Sequence, residues 1–343
     1  MGEYARSLAI AGAASRRWPG AVIHFALSRH APYAADAPFP ATLMASSPTF
    51  NSPAVIALMH DWRPDVVIFD NTGRTAQLRA ARRLGARVVY ISARRRQRRK
   101  AFRWRWMGLI DEHWIAYPEF IAGPLMFFER LKLRVLGRPV VRYLDVILSR
   151  PDPAHRSDVL SRAGCEAGTF VLVVPGGGTG HPGALDAVGQ FMAAARVLAA
   201  RGVPTVYVGP GDAGENDAVR EPNWRQLAPL PQMELVELMS AARLIIANGG
   251  STLLQAIACG RACLAVPIAG DQAARTQRCV AAGVAVAASL NAPSIVRAAD
   301  RLLQDEPRRA ALAGCADRLG LADGVEIAIQ ALGSLLEPQR PRP

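Results

Sequence analysis

Nothing in this 343-residue chain approaches the uninterrupted run of ~20 apolar residues that a membrane-spanning helix needs, although half of its residues are hydrophobic. Its start, MGEYARSLAIAGAASRRW, has neither the basic opening nor the long apolar core of an export signal. Glu3 and Arg6 interrupt it, and its period is that of a helix. Cysteine is scarce and scattered, with five residues at 165, 259, 263, 279 and 315 and no Cys-x-x-Cys pair. This argues against a zinc site or a disulfide framework and for buried thiols in a reducing, cytoplasmic compartment. There is no lysine in a Walker position and no Asp-x-Asp, and no repeat of solenoid length is visible. Acids are also in deficit, 28 against 41 basic residues, which leaves a net charge of +13.

What the chain does have is alternation. VIHFAL (22–27), DVVIF (65–69) and RVVYI (87–91) read as strands, and TAQLRAARRLG reads as the helix between the last two. The second half repeats the pattern with FVLVV (170–174), a glycine loop, a helix ending near Gly202 and VYVG around Tyr207. The expectation is an α/β protein with a mostly parallel sheet in each half. A chain of this length exceeds what one core organises, so two domains are expected. The Pro-rich stretch 149–155 separates residues 1–150 from residues 156–325, and 326–343 forms a last helix with a basic tail.

The densest signal is LIIANGGSTLLQAIACGRACLAVPIAGDQ, residues 244–272. Leu244 to Ile246 begin a buried strand, and Asn248, Gly249 and Gly250 form a turn that glycine permits. Ser251 or Thr252 is expected to cap the helix behind it, a ready site for a phosphate. Gly260 ends that helix, Ala262 to Val266 return to the sheet, and Asp271-Gln272 open as a polar loop at the same carboxyl edge. That edge is where open α/β sheets bind ligands.

This string resembles the nucleotide-sugar signature of GT-B glycosyltransferases, two Rossmann-like domains facing across a cleft. It is most similar to the branch of the lipid-II N-acetylglucosaminyltransferase and the UDP-sugar hydrolase of pseudaminic acid synthesis. The resemblance implies that Asn248, Gly249, Gly250, Ser251 and Thr252 bind the donor, with Gly250, Ser251 and Thr252 on its diphosphate. It also implies that Asp271 and Gln272 hold a hexose. The ribose position falls on Gln255, where the family usually has Glu; an amide donates as well as accepts. Gly177, Gly178 and Thr179, after the 170–174 strand, are the implied second phosphate loop. His181 there reads equally as a phosphate contact or a surface residue. Backbone near Leu230 is expected to read the base, with Met233 closing the pocket. Met233, Leu235 and Leu238 also read as the core face of a helix.

GEYARSLAIA resembles the family's first helix, but the strand and loop that precede it there are missing here. Glu3 stands where the family has a histidine, as a general base if burial raises its pKa or as a charge favoured by the helix dipole. Asp70 ends the 65–69 strand and is either a catalytic base or the cap of the next helix. Arg94, Arg95, Arg96, Arg98, Arg99, Lys100, Arg103 and Arg105 fall within twelve residues with Phe102, Trp104 and Trp106 among them. That pattern suits an anionic membrane surface or an anionic acceptor, with RNA as a second reading. The resemblance to the lipid-II branch, whose N-terminal domain meets the membrane, implies the inner face of the cell envelope.

The expected function is metal-independent, inverting sugar transfer from an NDP-sugar, UDP-linked by analogy, with no bound cofactor. Hydrolysis of a UDP-sugar is the alternative, and an impaired nucleotide-sugar-binding protein is a further one.

Overall fold

The computed structural model describes residues 2–31, 33–34, 37–148, 153–176, 184–210 and 222–337. The chain divides into two units, Met1–Ile147 with Gly324–Pro343, and Leu148–Asp323.

The first unit runs α1 (Gly2–Arg17), β1 (Phe25–Ser28), β2 (Ala41–Met44), α2 (Ser52–Trp62), β3 (Val66–Asp70), α3 (Thr75–Arg83) and β4 (Arg87–Ser92). It continues through α4 (Arg95–Ala101), α5 (Trp104–Met107), β5 (Glu112–Ile115), α6 (Glu119–Ala122), α7 (Phe127–Leu136) and β6 (Val140–Tyr143). All its strand pairings are parallel. The sheet is in two pieces, β1-β2 and β3-β4-β5-β6. β4 is paired on both sides and buried from Val88 onward, as its run of β-branched and aromatic residues dictates, whereas Ile68 on the edge strand β3 is 37% exposed. Val22 is left exposed outside β1, which starts at Phe25 rather than at Val22.

Two cores flank this sheet. Met44, Val55, Met59, Phe69 and Leu78 pack with Val88, Tyr90 and Trp106. In the other, Ile10 and Ala14 of α1, one helical turn apart, meet Val89, Ile91, Trp114 and the chain's final helix through Ala328 and Leu332.

The second unit runs α8 (Pro153–Ala163), β7 (Val171–Val174), α9 (Ala184–Ala200), β8 (Thr205–Val208), β9 (Trp224–Leu227), α10 (Gln232–Ala241) and β10 (Leu244–Asn248). It ends with α11 (Ser251–Ala258), β11 (Cys263–Val266), α12 (Gly270–Ala281), β12 (Val286–Ala287), α13 (Ala292–Gln304) and α14 (Glu306–Leu319), ahead of the final helix α15 (Gly324–Leu336). Its parallel sheet has the order β12-β11-β10-β7-β8-β9. Counted from β7 this is the doubly wound order 3-2-1-4-5-6, and the winding reverses between β7 and β10. VLVV, TVYV, LIIAN and CLAV are buried throughout, the continuous apolar runs of strands covered on both faces. Gly260 ends α11 with φ +66°, a left-handed conformation that glycine adopts without penalty. The cysteines are free thiols, with Cys263 and Cys279 buried.

Candidate functional site

The reversal of winding is where an open α/β sheet leaves a crevice, because the loops after the two central strands turn to opposite faces. In the second unit those strands end at Val174 and Asn248, in a register that pairs Ala247 with Val174. The Asn248 side chain, 7% exposed, spans the reversal. Its Nδ2 donates to the Pro175 carbonyl at 2.7 Å, and its Oδ1 accepts the Gly250 N–H at 2.7 Å. Gly176 has φ +87°, and a Cβ there would stand 1.9 Å from Asn248 Nδ2. Glycine is required at 176 both by the backbone and by the space the asparagine fills.

This clasp corrects the reading of the glycine turn. Gly250 is the N-cap of α11, with an extended backbone, and neither Ser251 nor Thr252 caps the helix. The Gly250 N–H is consumed by Asn248 and is not offered to a ligand. Ser251 and Thr252, at the first two helical positions, keep N–H groups that no intrahelical carbonyl reaches, and these point the helix's positive end outward. The two glycines serve packing rather than φ. A Cβ on Gly250 would lie 2.6 Å from Asn248 Oδ1, and one on Gly249 would lie 2.6 Å from Thr276 Oγ1.

Asp271 and Gln272 do not sit in a loop. They occupy the first turn of α12, whose N-cap is Ala269. Asp271 is exposed, as a carboxylate at a helix N-terminus tolerates, whereas Gln272 is buried and its Oε1 accepts the Ile268 N–H at 3.0 Å. Its amide nitrogen is the part left to meet a ligand. Sequence reasoning missed Arg275. That side chain is 9% exposed, donates from Nη1 to the Gly249 carbonyl at 2.7 Å and approaches Asp271 at 3.6 Å. Thr276 Oγ1 beside it is buried with no partner among the described residues. The available signal was their spacing from Asp271, which places Arg275 one turn along the same helix face.

Gln255 is half-buried on α11, one turn after Ser251. Leu230 is half-buried ahead of α10. Met233 is 57% exposed, so it is not part of a core face, while Leu238 is fully buried. Gly177, Gly178, Thr179 and His181 lie outside the described residues.

In the first unit the structure brings the two catalytic candidates to one place. Asp70 ends β3 and accepts from Arg6 Nε at 3.1 Å and from Ser7 Oγ at 3.0 Å, with Arg6 Nη2 on its other oxygen at 2.5 Å. It does not cap α3; Gln77 reaches back to the Arg74 N–H instead, at 2.8 Å. Burial pushes the Asp70 carboxyl above the ordinary aspartate range, against the lowering pull of Arg6 and Ser7. Glu3 is exposed, so the burial expected of a raised glutamate falls on Asp70 instead. Asn71, held at φ +53°, binds Glu3 Oε1 through Nδ2 at 2.8 Å and receives the Ala93 N–H on Oδ1 at 2.7 Å.

The basic cluster divides. Arg94, Arg95, Arg96, Arg99, Arg103 and Arg105 are exposed. Arg98 is buried, bound to Glu129 at 2.6 Å and donating to the carbonyls of Ala122, Gly123 and Pro124. Lys100 donates to the Gly73 carbonyl at 2.8 Å and lies over the Trp106 ring. Arg98 and Lys100 are therefore withdrawn from the surface assigned to them, and Phe102 and Trp106 are buried with them. No helix among the described residues is long and apolar enough to cross a membrane.

A separate recess of about 500 Å³, lined by Cys165, Glu166, Thr205 and Arg225 among others, lies at the amino edge of β7 and β8. That is the edge away from the glycine turn.

No protein-family model and no curated protein matches the chain. Solved structures do. Spinosyn forosaminyltransferase SpnP has a TM-score of 0.64 at 16% identity, covering 96% of this chain and 95% of its own. A UDP-glucosyltransferase from Polygonum tinctorium has a TM-score of 0.64 at 13% identity, with coverages of 97% and 96%. MnaA of S. aureus, in a co-structure with UDP, has a TM-score of 0.58 at 14% identity, with coverages of 98% and 96%. At such identities the likeness is one of fold, and it spans nearly the whole chain. With parallel sheets in both units and the doubly wound order in the second, the chain has the α/β fold of the GT-B glycosyltransferases.

Proposed function

We propose that this chain is an inverting glycosyltransferase that takes a sugar from an NDP-sugar, most simply a UDP-sugar. The observation that carries the reading is the Asn248 clasp, which fixes the N-terminus of α11 at the winding reversal of the sheet. Free N–H groups at a helix start are donors aimed at an anion, and a diphosphate is both the ligand and the leaving group that this chemistry requires. Of the structural neighbours, one is a UDP-glucosyltransferase and another was solved with UDP, which supports that nucleotide here.

In the reaction, the acceptor oxygen forms its bond to the anomeric carbon as the bond from that carbon to the diphosphate oxygen breaks. The electron pair leaves on the diphosphate, where the Ser251 and Thr252 N–H groups offset its charge without a metal. The acceptor proton passes to a carboxylate base. Asp70 is the better base, because burial raises its proton affinity while Glu3 is exposed. Gln255 takes the ribose, and Asp271 with the amide nitrogen of Gln272 takes the hexose hydroxyls.

Incubation with a panel of UDP-sugars, following UDP release with and without membrane extract, tests the reading. Acceptor-dependent release is the expected result. Turnover that ignores the acceptor makes the protein a UDP-sugar hydrolase, and binding without release makes it a nucleotide-sugar-binding protein. Absence of UDP binding by calorimetry removes the donor site.

A further inference from the structure

Helix α7 is inside out. Phe127, Phe128, Leu131 and Val135 are 66%, 69%, 46% and 64% exposed, while the charged Glu129 points inward and is 8% exposed. At 3.6 residues per turn these four apolar side chains fall on one stripe roughly 100° wide, the width that a surface helix ordinarily buries. Met126, 54% exposed, extends the stripe at its start. Trp104 of α5, 53% exposed, adjoins it, with Lys132 Nζ at 5.6 Å from the ring centroid.

The border of the stripe is cationic. Arg130 and Arg134 are exposed along one side, Lys132 lies on the other, and Arg103 and Arg105 flank Trp104. Of the acids in this part of the chain, Glu129 pairs with Arg98, Asp111 with Arg82 and Arg138, and Glu112 with Arg142. That leaves Glu119, exposed at the start of α6, against the exposed arginines. Arg98 also fastens the start of the helix, through the carbonyls of 122–124, so the outward stripe is held by a buried ion pair and not by apolar packing.

We infer that α7 with Trp104 is a docking face for an anionic lipid surface. The helix lies in the plane of the interface, Phe127, Phe128, Leu131 and Val135 enter the headgroup–acyl boundary, and Arg130 and Arg134 meet lipid phosphates. Charge decides the occupant. A second copy of this chain would bring the same arginines against one another, whereas a bilayer supplies apolar depth and negative charge in the register the helix presents. The inference concerns a face of the first unit and holds whether or not the protein transfers sugar.

Flotation of the full chain with vesicles of phosphatidylcholine alone, or of phosphatidylcholine with phosphatidylglycerol, tests it. Binding is expected with the anionic vesicles alone and falls steeply with salt. Replacing Phe127, Phe128 and Leu131 by Ser should abolish flotation, and since these side chains are solvent-exposed the circular dichroism and melting should stay at wild-type values. Arg130→Ser with Arg134→Ser should weaken binding by about thirtyfold, the combined effect of two cations near such a surface. Equal flotation of wild type and the triple Ser variant overturns the inference, as does failure of the wild type to bind anionic vesicles. A concentration-dependent dimer in light scattering that the triple variant removes also overturns it, making the stripe an interface between copies.

Discussion

Asn248 donates to the Pro175 carbonyl and accepts the Gly250 N–H, both at 2.7 Å, so one buried amide ties the loop after β7 to the helix start after β10. An amide is the side chain that can do both at once, since it carries a donor and an acceptor on one planar group. Replacing Asn248 by Ala should cost about 1–3 kcal/mol of stability, because the Pro175 carbonyl and the Gly250 N–H lose their partner. Gly176→Ala should give a similar loss, as its Cβ lands on Asn248 Nδ2. Denaturant titration of the single and double variants should show strong non-additivity, because both changes break the same contact. Calorimetry with UDP should show weaker binding in each variant.

Asp70 and Arg6 separate catalysis from structure. Arg6→Met should lose about 3–5 kcal/mol, since it strands a buried carboxylate. Asp70→Asn keeps the shape but turns an NH2 toward one of the Arg6 and Ser7 donors and leaves the buried Arg6 unpaired. It should also destabilise, so its rate is compared on folded protein. If Asp70 is the base, Asp70→Asn should lower turnover by about 10²-fold or more with UDP affinity unchanged. The acid limb of the rate profile should then lie above the ordinary aspartate pKa of 3.8, because burial raises this carboxyl and the base must be ionised to work. An unchanged rate in the Asn variant would transfer the role to Glu3.

Arg98 and its exposed neighbours should behave oppositely. Arg98→Ala removes the partner of buried Glu129 and the donor to three carbonyls, and should destabilise by about 3–5 kcal/mol. Arg95→Ala and Arg99→Ala, on the exposed side of α4, should change stability by less than about 0.5 kcal/mol. Thermal melts of the three variants check the contrast.

His113 makes the first unit acid-sensitive. It is fully buried in β5, bonded to Ser92 Oγ at 2.8 Å, and burial, aided by the Arg98 charge, pushes its pKa down to about 3. Below 6.5 the unfolded chain takes up a proton that the folded chain refuses, so this histidine costs nothing above 6.5 and its cost grows as pH falls toward 3. Between pH 6 and 4 the wild type should lose about 1.4 kcal/mol more per pH unit than a His113→Asn variant. Urea titrations at each pH measure the difference, and parallel slopes would remove the assignment.

The sequence by itself determined the alternating elements, the parallel sheets, the end of α11 at Gly260 and the place of the glycine turn at a strand's carboxyl end. Those features are written in local patterns: runs of apolar residues of strand length, helical periodicity, and a glycine where φ turns positive. Tertiary structure decided which groups at the site are free. Asn248 meets Pro175 across 73 residues and Asp70 meets Arg6 across 64, in each case joining segments that only the folded chain brings together. The same holds for Arg98, which lies in a run of arginines that composition cannot tell apart. Its burial follows from Glu129 and the 122–124 carbonyls, 24 to 31 residues away, so an apolar stripe on α7 is left facing out where periodicity alone would have turned it in. Local sequence sets the elements, but each donor and acceptor has few partners to give, and which partner takes them depends on neighbours that only the fold brings within about 3 Å.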